Sequence, residues 1–226
     1  FANMMHTRLG TFAAAAVLLG AFVVWERRQR EPLVPFSIFR LQTLTAANVA
    51  GFIMGTALFS MFLMLTLYMQ QVLGYSPIKT GAAYIAVAGT AVIWANVAAA
   101  AVNRIGVKPA LIFGMSMLTA GLLSFTQVSV DGSYWANLFP GFLILGVAIP
   151  FAFVPITIAA LAGTKPQEAG LASGLINTSQ QIGGAVGIAL LSTIAVSTTD
   201  DALANGDAVP SALTDGFVNA FWAAAA

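Results

Sequence analysis

The chain has no cysteine, a single histidine and very little charge: of its 226 residues only 8% are Asp, Glu, Lys or Arg. Without cysteine there is no disulfide framework, no thiol nucleophile and no thiolate metal site. The shortage of charge excludes more. A soluble domain carries roughly a quarter charged residues, and this chain has too few to cover a globular surface with polar groups.

What it has instead is hydrocarbon. Hydrophobic residues make up 59% of the chain and the mean hydropathy is +0.88. Apolar stretches of about 20 residues match a hydrocarbon core about 30 Å thick. In lipid every backbone amide must be satisfied internally, by a helix or by a closed barrel. The apolar–polar alternation of barrel strands is absent, so the expected class is all-α and transmembrane, with the lipid bilayer as solvent.

The sequence predicts spans at about 9–25, 45–72, 81–102, 109–127, 135–162 and 170–196. A polar loop at 197–215 then precedes a truncated seventh run at 217–226, giving six complete spans and part of another. Pro140, Pro150 and Pro155 predict a kink or a locally unwound stretch in the fifth span. Both ends read as cut from a longer protein.

The few charges are sorted. If the spans alternate sides, every basic residue except Arg8 and Lys79 falls on one side, including Arg27, Arg28, Arg30, Arg40, Arg104, Lys108 and Lys165. Asp131, Asp200, Asp201, Asp207 and Asp215 fall on the other. By the positive-inside rule the basic side is cytoplasmic.

On these boundaries no ionisable group lies inside a span. Intramembrane charges mark proton and ion relays, so proton-coupling groups are expected outside this stretch of sequence. No carboxylate pair, histidine cluster or activated nucleophile can be assembled at membrane depth, and no enzyme, metal or cofactor is expected. No nucleic-acid partner is expected either.

Uncharged polar residues take the place of charge. In the second span Asn48, Thr56, Ser60, Leu67 and Gln71 recur at spacings near multiples of four, which places them along one helix face. Phe52, Phe59, Phe62, Met64, Tyr68 and Met69 are interleaved. One reading is a cavity face for an amphiphilic, largely apolar ligand, since Met and aromatic side chains repack around different shapes. The other is hydrogen bonding between helices, with the aromatics in lipid. In the fifth span Phe151, Phe153, Pro150 and Pro155 suggest a bent aromatic wall. In the sixth, Gly170-x-x-x-Gly174 and Gly183-x-x-x-Gly187 predict close helix packing, and residues 177–181 form a polar belt that must find partners or water.

The run Tyr68-Met69-Gln70-Gln71-Val72-Leu73-Gly74-Tyr75-Ser76-Pro77 with Thr80-Gly81, and the run Glu168-Ala169-Gly170-Leu171-Ala172-Ser173-Gly174-Leu175-Ile176-Asn177-Thr178 continuing to Gln181-Ile182-Gly183-Gly184-Ala185-Val186-Gly187, carry a resemblance. Together with Glu26-Arg27-Arg28, Glu31-Pro32-Leu33 and Phe39-Arg40, they resemble the C-terminal half of fourteen-helix major facilitator transporters, the drug:proton antiporters of the EmrB/QacA type.

The resemblance implies that residues 1–44 hold the last extra central helix and a cytoplasmic link, and that 45–226 form the C-terminal bundle. It implies an inner-membrane exporter of lipophilic compounds driven by protons, working against an N-terminal bundle absent from this sequence. The substrate-cavity candidates are then Asn48, Phe52, Thr56, Phe59, Ser60, Phe151 and Pro155. Asn103-Arg104-Ile105-Gly106-Val107-Lys108 resembles a degenerate copy of the superfamily's cytoplasmic loop, which implies a gating role for Arg104, Gly106 and Lys108. From a different class, a structural or assembly subunit without transport activity fits the polar belts as helix glue.

Overall fold

The computed structural model describes residues 36–226 without interruption and, before them, only residues 14, 17, 18, 20–26, 28 and 29. The chain divides into two units, Phe1–Leu41 and Gln42–Ala226. In the first, residues 20–26 are helical and Phe36–Arg40 forms a 3-10 turn. The remainder of the expected first span, with His6, Arg8, Arg27 and Arg30, lies mostly outside the described residues.

The second unit is built from helices, with no strand among the described residues. They are α1 (Gln42–Leu67), α2 (Pro77–Ala83), α3 (Ile85–Ile105), α4 (Val107–Ser124), α5 (Phe139–Leu161), α6 (Ala169–Ala204) and α7 (Val209–Ala225). Wider π turns extend α1 over Tyr68–Val72 and precede α5 over Tyr134–Leu138. Five stretches are long and apolar enough to cross a membrane: Gln42–Val72, Pro77–Ile105, Val107–Gln127, Tyr134–Leu161 and Pro166–Ala204. They correspond to the second to sixth spans read from hydropathy.

Two expectations are corrected. The segment 197–215 is not a loop: α6 continues to Ala204 and α7 begins at Val209. Ser, Thr, Ala and Asp do not stop a helix whose backbone bonds are already propagating, and the break comes only at Gly206, with φ 94°, ahead of Pro210 in the first turn of α7. At 1.5 Å per residue the 36 residues of α6 extend about 54 Å, well beyond a 30 Å core. Asp200 and Asp201 lie near its C-terminal end, and the helix is long enough to carry them beyond such a core. Of the two alternatives for the fifth span the unwound one fails, because α5 runs through Pro150 and Pro155 as one helix. Each proline removes one backbone bond, and the neighbouring turns and packed helices hold the rest in place.

The packing has an internal repeat. α1 lies along α6, α5 lies along both α3 and α4, and α6 lies along α7. Taking α1, α3 and α4 as one triplet and α5, α6 and α7 as the other, the first helix of each packs on the middle helix of its counterpart. Three crossings separate equivalent helices, so the second triplet runs inverted relative to the first, an arrangement transporters use around a midplane site. Aromatic side chains fill the junction. The Phe125 ring stands 5.6 Å from Phe142 and 5.7 Å from Phe221, and all three are fully buried. Tyrosine hydroxyls pin the connections, Tyr68 to the Ser129 carbonyl at 2.7 Å and Tyr134 to that of Ala83 at 2.9 Å.

Candidate functional site

The polar residues of α1 meet α6. Asn48 Oδ1 accepts a hydrogen bond from the Ser179 hydroxyl at 2.7 Å, while its Nδ2 donates to the Leu44 carbonyl at 2.9 Å. The Thr56 hydroxyl lies 3.0 Å from two carbonyls, that of Phe52 in its own helix and that of Gly183 across the seam. Ser60 donates to the Thr56 carbonyl at 2.6 Å.

Glycine makes this approach possible. A Cβ on Gly183 would overlap the Phe52 carbonyl, one on Gly55 would overlap the Gln180 carbonyl, and one on Gly187 would press on Thr56 and Ser60. Phe59, 44% exposed, lays its ring over Gly184. Gly170 and Gly174 face open space, with nothing within 4 Å of an added Cβ.

The fifth-span residues divide between two sides of α5. Phe151 is buried, its ring 4.9 Å edge-on from Phe113 and 6.3 Å from Trp94. Its backbone also closes over Gly114, so it belongs with α3 and α4. Pro155 is buried as well. Phe153, two residues from Phe151, is 47% exposed and points elsewhere.

It borders a cleft of about 120 Å³ between α5 and α6, lined also by Thr157, Ser173, Asn177 and Gln180. Gln180 is only 8% exposed; its Cγ lies near Gly51 and its Nε2 is buried with no hydrogen-bond partner. The belt at 177–181 flagged this segment in the sequence. Its spacing alone did not separate Ser179 and Gln180, which pack on α1, from the exposed Asn177, which lines the cleft.

Two further clefts lie near the opposite ends of these helices. One, of about 750 Å³, includes Tyr75, Lys79, Tyr134 and Trp135, with the Lys79 ammonium 3.6 Å above the Tyr75 ring. The other, of about 240 Å³, runs between Met64, Gln71, Asp200 and Phe217. The sequence put Met64, Leu67 and Gln71 with the candidate cavity face of the second span, but it outlined neither cleft, because each joins residues from three separate helices.

Arg104, Gly106 and Lys108 form the connection between α3 and α4, and it is a single residue long. Gly106 has φ 89° and ψ 169° and donates its N–H to the Val102 carbonyl at 2.9 Å. That backbone conformation suits glycine. Arg104 lies in the last turn of α3, where a cation complements the helix dipole, and both basic side chains are exposed.

The chain is 32% identical to a puromycin resistance protein of Streptomyces alboniger over 93% of its own length and 42% of that protein. A lincomycin resistance protein of Streptomyces lincolnensis is 32% identical over 84% of the chain and 39% of that protein. A multidrug resistance protein B homolog of Mycobacterium tuberculosis is 31% identical over 78% of the chain and 33% of that protein. The chain therefore spans about two fifths or less of the length of these curated relatives. Residues 7–188 match the sequence model of the Major Facilitator Superfamily. With five membrane-length helices among the described residues, and relatives named for drug resistance, the chain belongs to the Major Facilitator Superfamily, a family of transporters and not of enzymes.

Proposed function

We propose that this chain is the C-terminal bundle of a fourteen-helix exporter that moves amphiphilic compounds out of the cytoplasm across the inner membrane in exchange for protons. The carrying observation is a set of amides at membrane depth on exposed helix faces: Asn96 on α3, and Asn177 and Gln181 on α6. An amide facing lipid loses its water partners at a cost of roughly 2–7 kcal/mol, so these faces are suited to a second bundle or to a water-filled path. Rocking of the two bundles about that path gives alternating access.

In this reading α1 and α5 border the route, with Phe52 and Phe59 offering partly open aromatic surface beside Asn48, Thr56 and Ser60, and Phe151 and Pro155 backing the wall. Arg104, Gly106 and Lys108 serve the cytoplasmic closure, and Gly170 and Gly174 lie where another helix can approach. The resistance named for the relatives supports the outward direction of transport.

Everted vesicles holding the full-length protein test this. A pH gradient should drive accumulation of a lipophilic dye, and the absence of gradient-dependent movement for every lipophilic cation and dye would refute the proposal.

A second reading, an assembly subunit, is favoured by one observation: Asn48 and Thr56 place hydrogen bonds across the α1–α6 seam. Replacing Phe52 and Phe59 with Ala separates the two. An exporter changes its substrate profile, whereas an assembly protein loses only stability.

A further inference from the structure

We propose that the cleft at the Lys79 end of the bundle is a binding site for an anionic phospholipid, with the phosphodiester on Lys79 and the upper acyl chains against Ile85 and Phe139. The proposal needs the membrane spans but not export, and it concerns the leaflet opposite the Arg104 connection.

The argument begins with depth. Pro77–Ile105 has 29 residues and Tyr134–Leu161 has 28, about 43 and 42 Å of helix. The hydrocarbon core is about 30 Å thick, and about 40–45 Å with both headgroup layers. Centred on that core, each stretch overshoots it by about 6 Å, roughly four residues, at either end. Lys79 is the third residue of one stretch, and Tyr134 and Trp135 are the first two of the other, at headgroup level. Ile85, Ala86 and Phe139 follow further in, at the level of the chains. Both walls of the cleft therefore change from polar to apolar in the same direction, as a lipid does from head to tail.

Charge selects the head. Lys79 is exposed, and its ammonium stands 3.6 Å above the Tyr75 ring, which covers one side of a group with three N–H donors. Among the described residues no Asp or Glu lines the cleft; Asp131, two residues before Ser133, is exposed and outside the lining. One lysine thus balances a headgroup of net negative charge, whereas the ammonium of a zwitterionic headgroup would find no carboxylate. Ser133 adds a donor. Its oxygen accepts the Ala136 N–H at 3.3 Å, and its hydroxyl hydrogen is available to a phosphate oxygen.

The protein holds the cleft in shape by itself. The Tyr134 hydroxyl ties one wall to the other through the Ala83 carbonyl at 2.9 Å, and Ser76 Oγ accepts the Lys79 N–H at 3.3 Å. Trp135, 70% exposed, has Tyr134 5.2 Å and Phe139 5.0 Å from its ring, at the interface where tryptophan is favoured. At about 750 Å³ the cleft lies within the roughly 300–1,000 Å³ of pockets for whole ligands.

Native mass spectrometry of the purified full-length protein tests this by titrating dioleoylphosphatidylglycerol and dioleoylphosphatidylcholine, which share their chains and differ in headgroup charge. The tightest-binding site is expected to prefer phosphatidylglycerol by about fivefold, the worth of one lysine at an anionic membrane surface. Lys79→Gln should erase that preference and leave phosphatidylcholine binding within about twofold, which also shows that the variant is folded. Lys79→Arg should keep the preference, and so should Lys108→Gln, which removes a cation at the other end of the helices.

Equal affinities in the wild-type protein, or a preference that survives Lys79→Gln, would overturn the site. Glycerol phosphate, the headgroup without chains, should not displace the lipid at equal concentration; displacement would mark a site for soluble phosphate and overturn the lipid assignment. Binding is read without a pH gradient, so a failure of export in vesicles leaves this result unaffected.

Discussion

Gly183→Ala tests whether the α1–α6 seam holds the bundle together. The added methyl would overlap the Phe52 carbonyl oxygen, a backbone atom that moves only if α1 moves. Separating the helices also stretches the 3.0 Å bond from Thr56 to the Gly183 carbonyl and opens the contacts at Gly55 and Gly187. Overpacking costs about 1–3 kcal/mol, and a lost interhelical hydrogen bond in a membrane protein about 0.6 kcal/mol. Alanine returns about 1 kcal/mol of helix propensity over glycine. The balance is a destabilisation of about 0.6–2.6 kcal/mol. In a protein of this size each kcal/mol shifts the midpoint by about 2–4 °C, so a fall of roughly 1–10 °C is expected. The assay is thermal unfolding in detergent followed by circular dichroism at one scan rate. Gly174→Ala is the internal control, because nothing lies within 4 Å of its Cβ in this chain. A Gly183→Ala protein that unfolds at or above the wild-type temperature, together with Gly174→Ala, would refute the seam argument.

Three further outcomes follow from the same geometry. Gly106→Ala places a side chain at φ 89° and ψ 169°, a conformation costing about 1–3 kcal/mol, and should lower the unfolding temperature without moving Lys108 to the other side of the membrane. Tyr68→Phe removes the 2.7 Å hydrogen bond to the Ser129 carbonyl; a loss of about 0.5–1.5 kcal/mol should appear as faster hydrogen exchange across residues 128–133. Because the chain has no cysteine, single replacements report topology cleanly. A membrane-impermeant maleimide should label Lys108→Cys from the cytoplasmic side and Asp207→Cys from the opposite side, and labelling of both from one side would overturn the orientation.

The spans were legible because hydrocarbon thickness acts on every residue in a run, so Gln42–Val72 and Tyr134–Leu161 stand out by composition alone. The end of α6 was not. Thr198, Thr199 and Asp200 read as polar and so as loop, yet a helix already formed continues into water until Gly206 and Pro210 stop it. Glycine pairing was visible as a pattern but not as a direction. Gly183 and Gly187 meet α1 while Gly170 and Gly174, with the same spacing on the same helix, meet nothing in this chain. The two pairs are offset by thirteen residues, about 3.6 helical turns, which puts them on nearly opposite faces. Gln180 illustrates the remaining difficulty. Its residue type marked a polar belt, but its burial depends on Gly51 of α1, which lies far from it in the chain.

The internal repeat gives the exposed amides a common meaning. α3 and α6 are the middle helices of the two triplets, and each carries amides on an open face: Asn96 on one, Asn177 and Gln181 on the other. The first helices, α1 and α5, instead bury their small residues, Gly55 against the Gln180 backbone and Gly146 against Thr90 of α3. Rigidity is thus concentrated where the first helix of one triplet meets the middle helix of the other, and uncovered polarity on the outer sides of the middle helices. Lipid is a poor neighbour for that polarity, since the carboxamides would have no partner in hydrocarbon. An arrangement that relieves both open faces places them toward protein or water, which is what the proposed rocking against a second bundle requires.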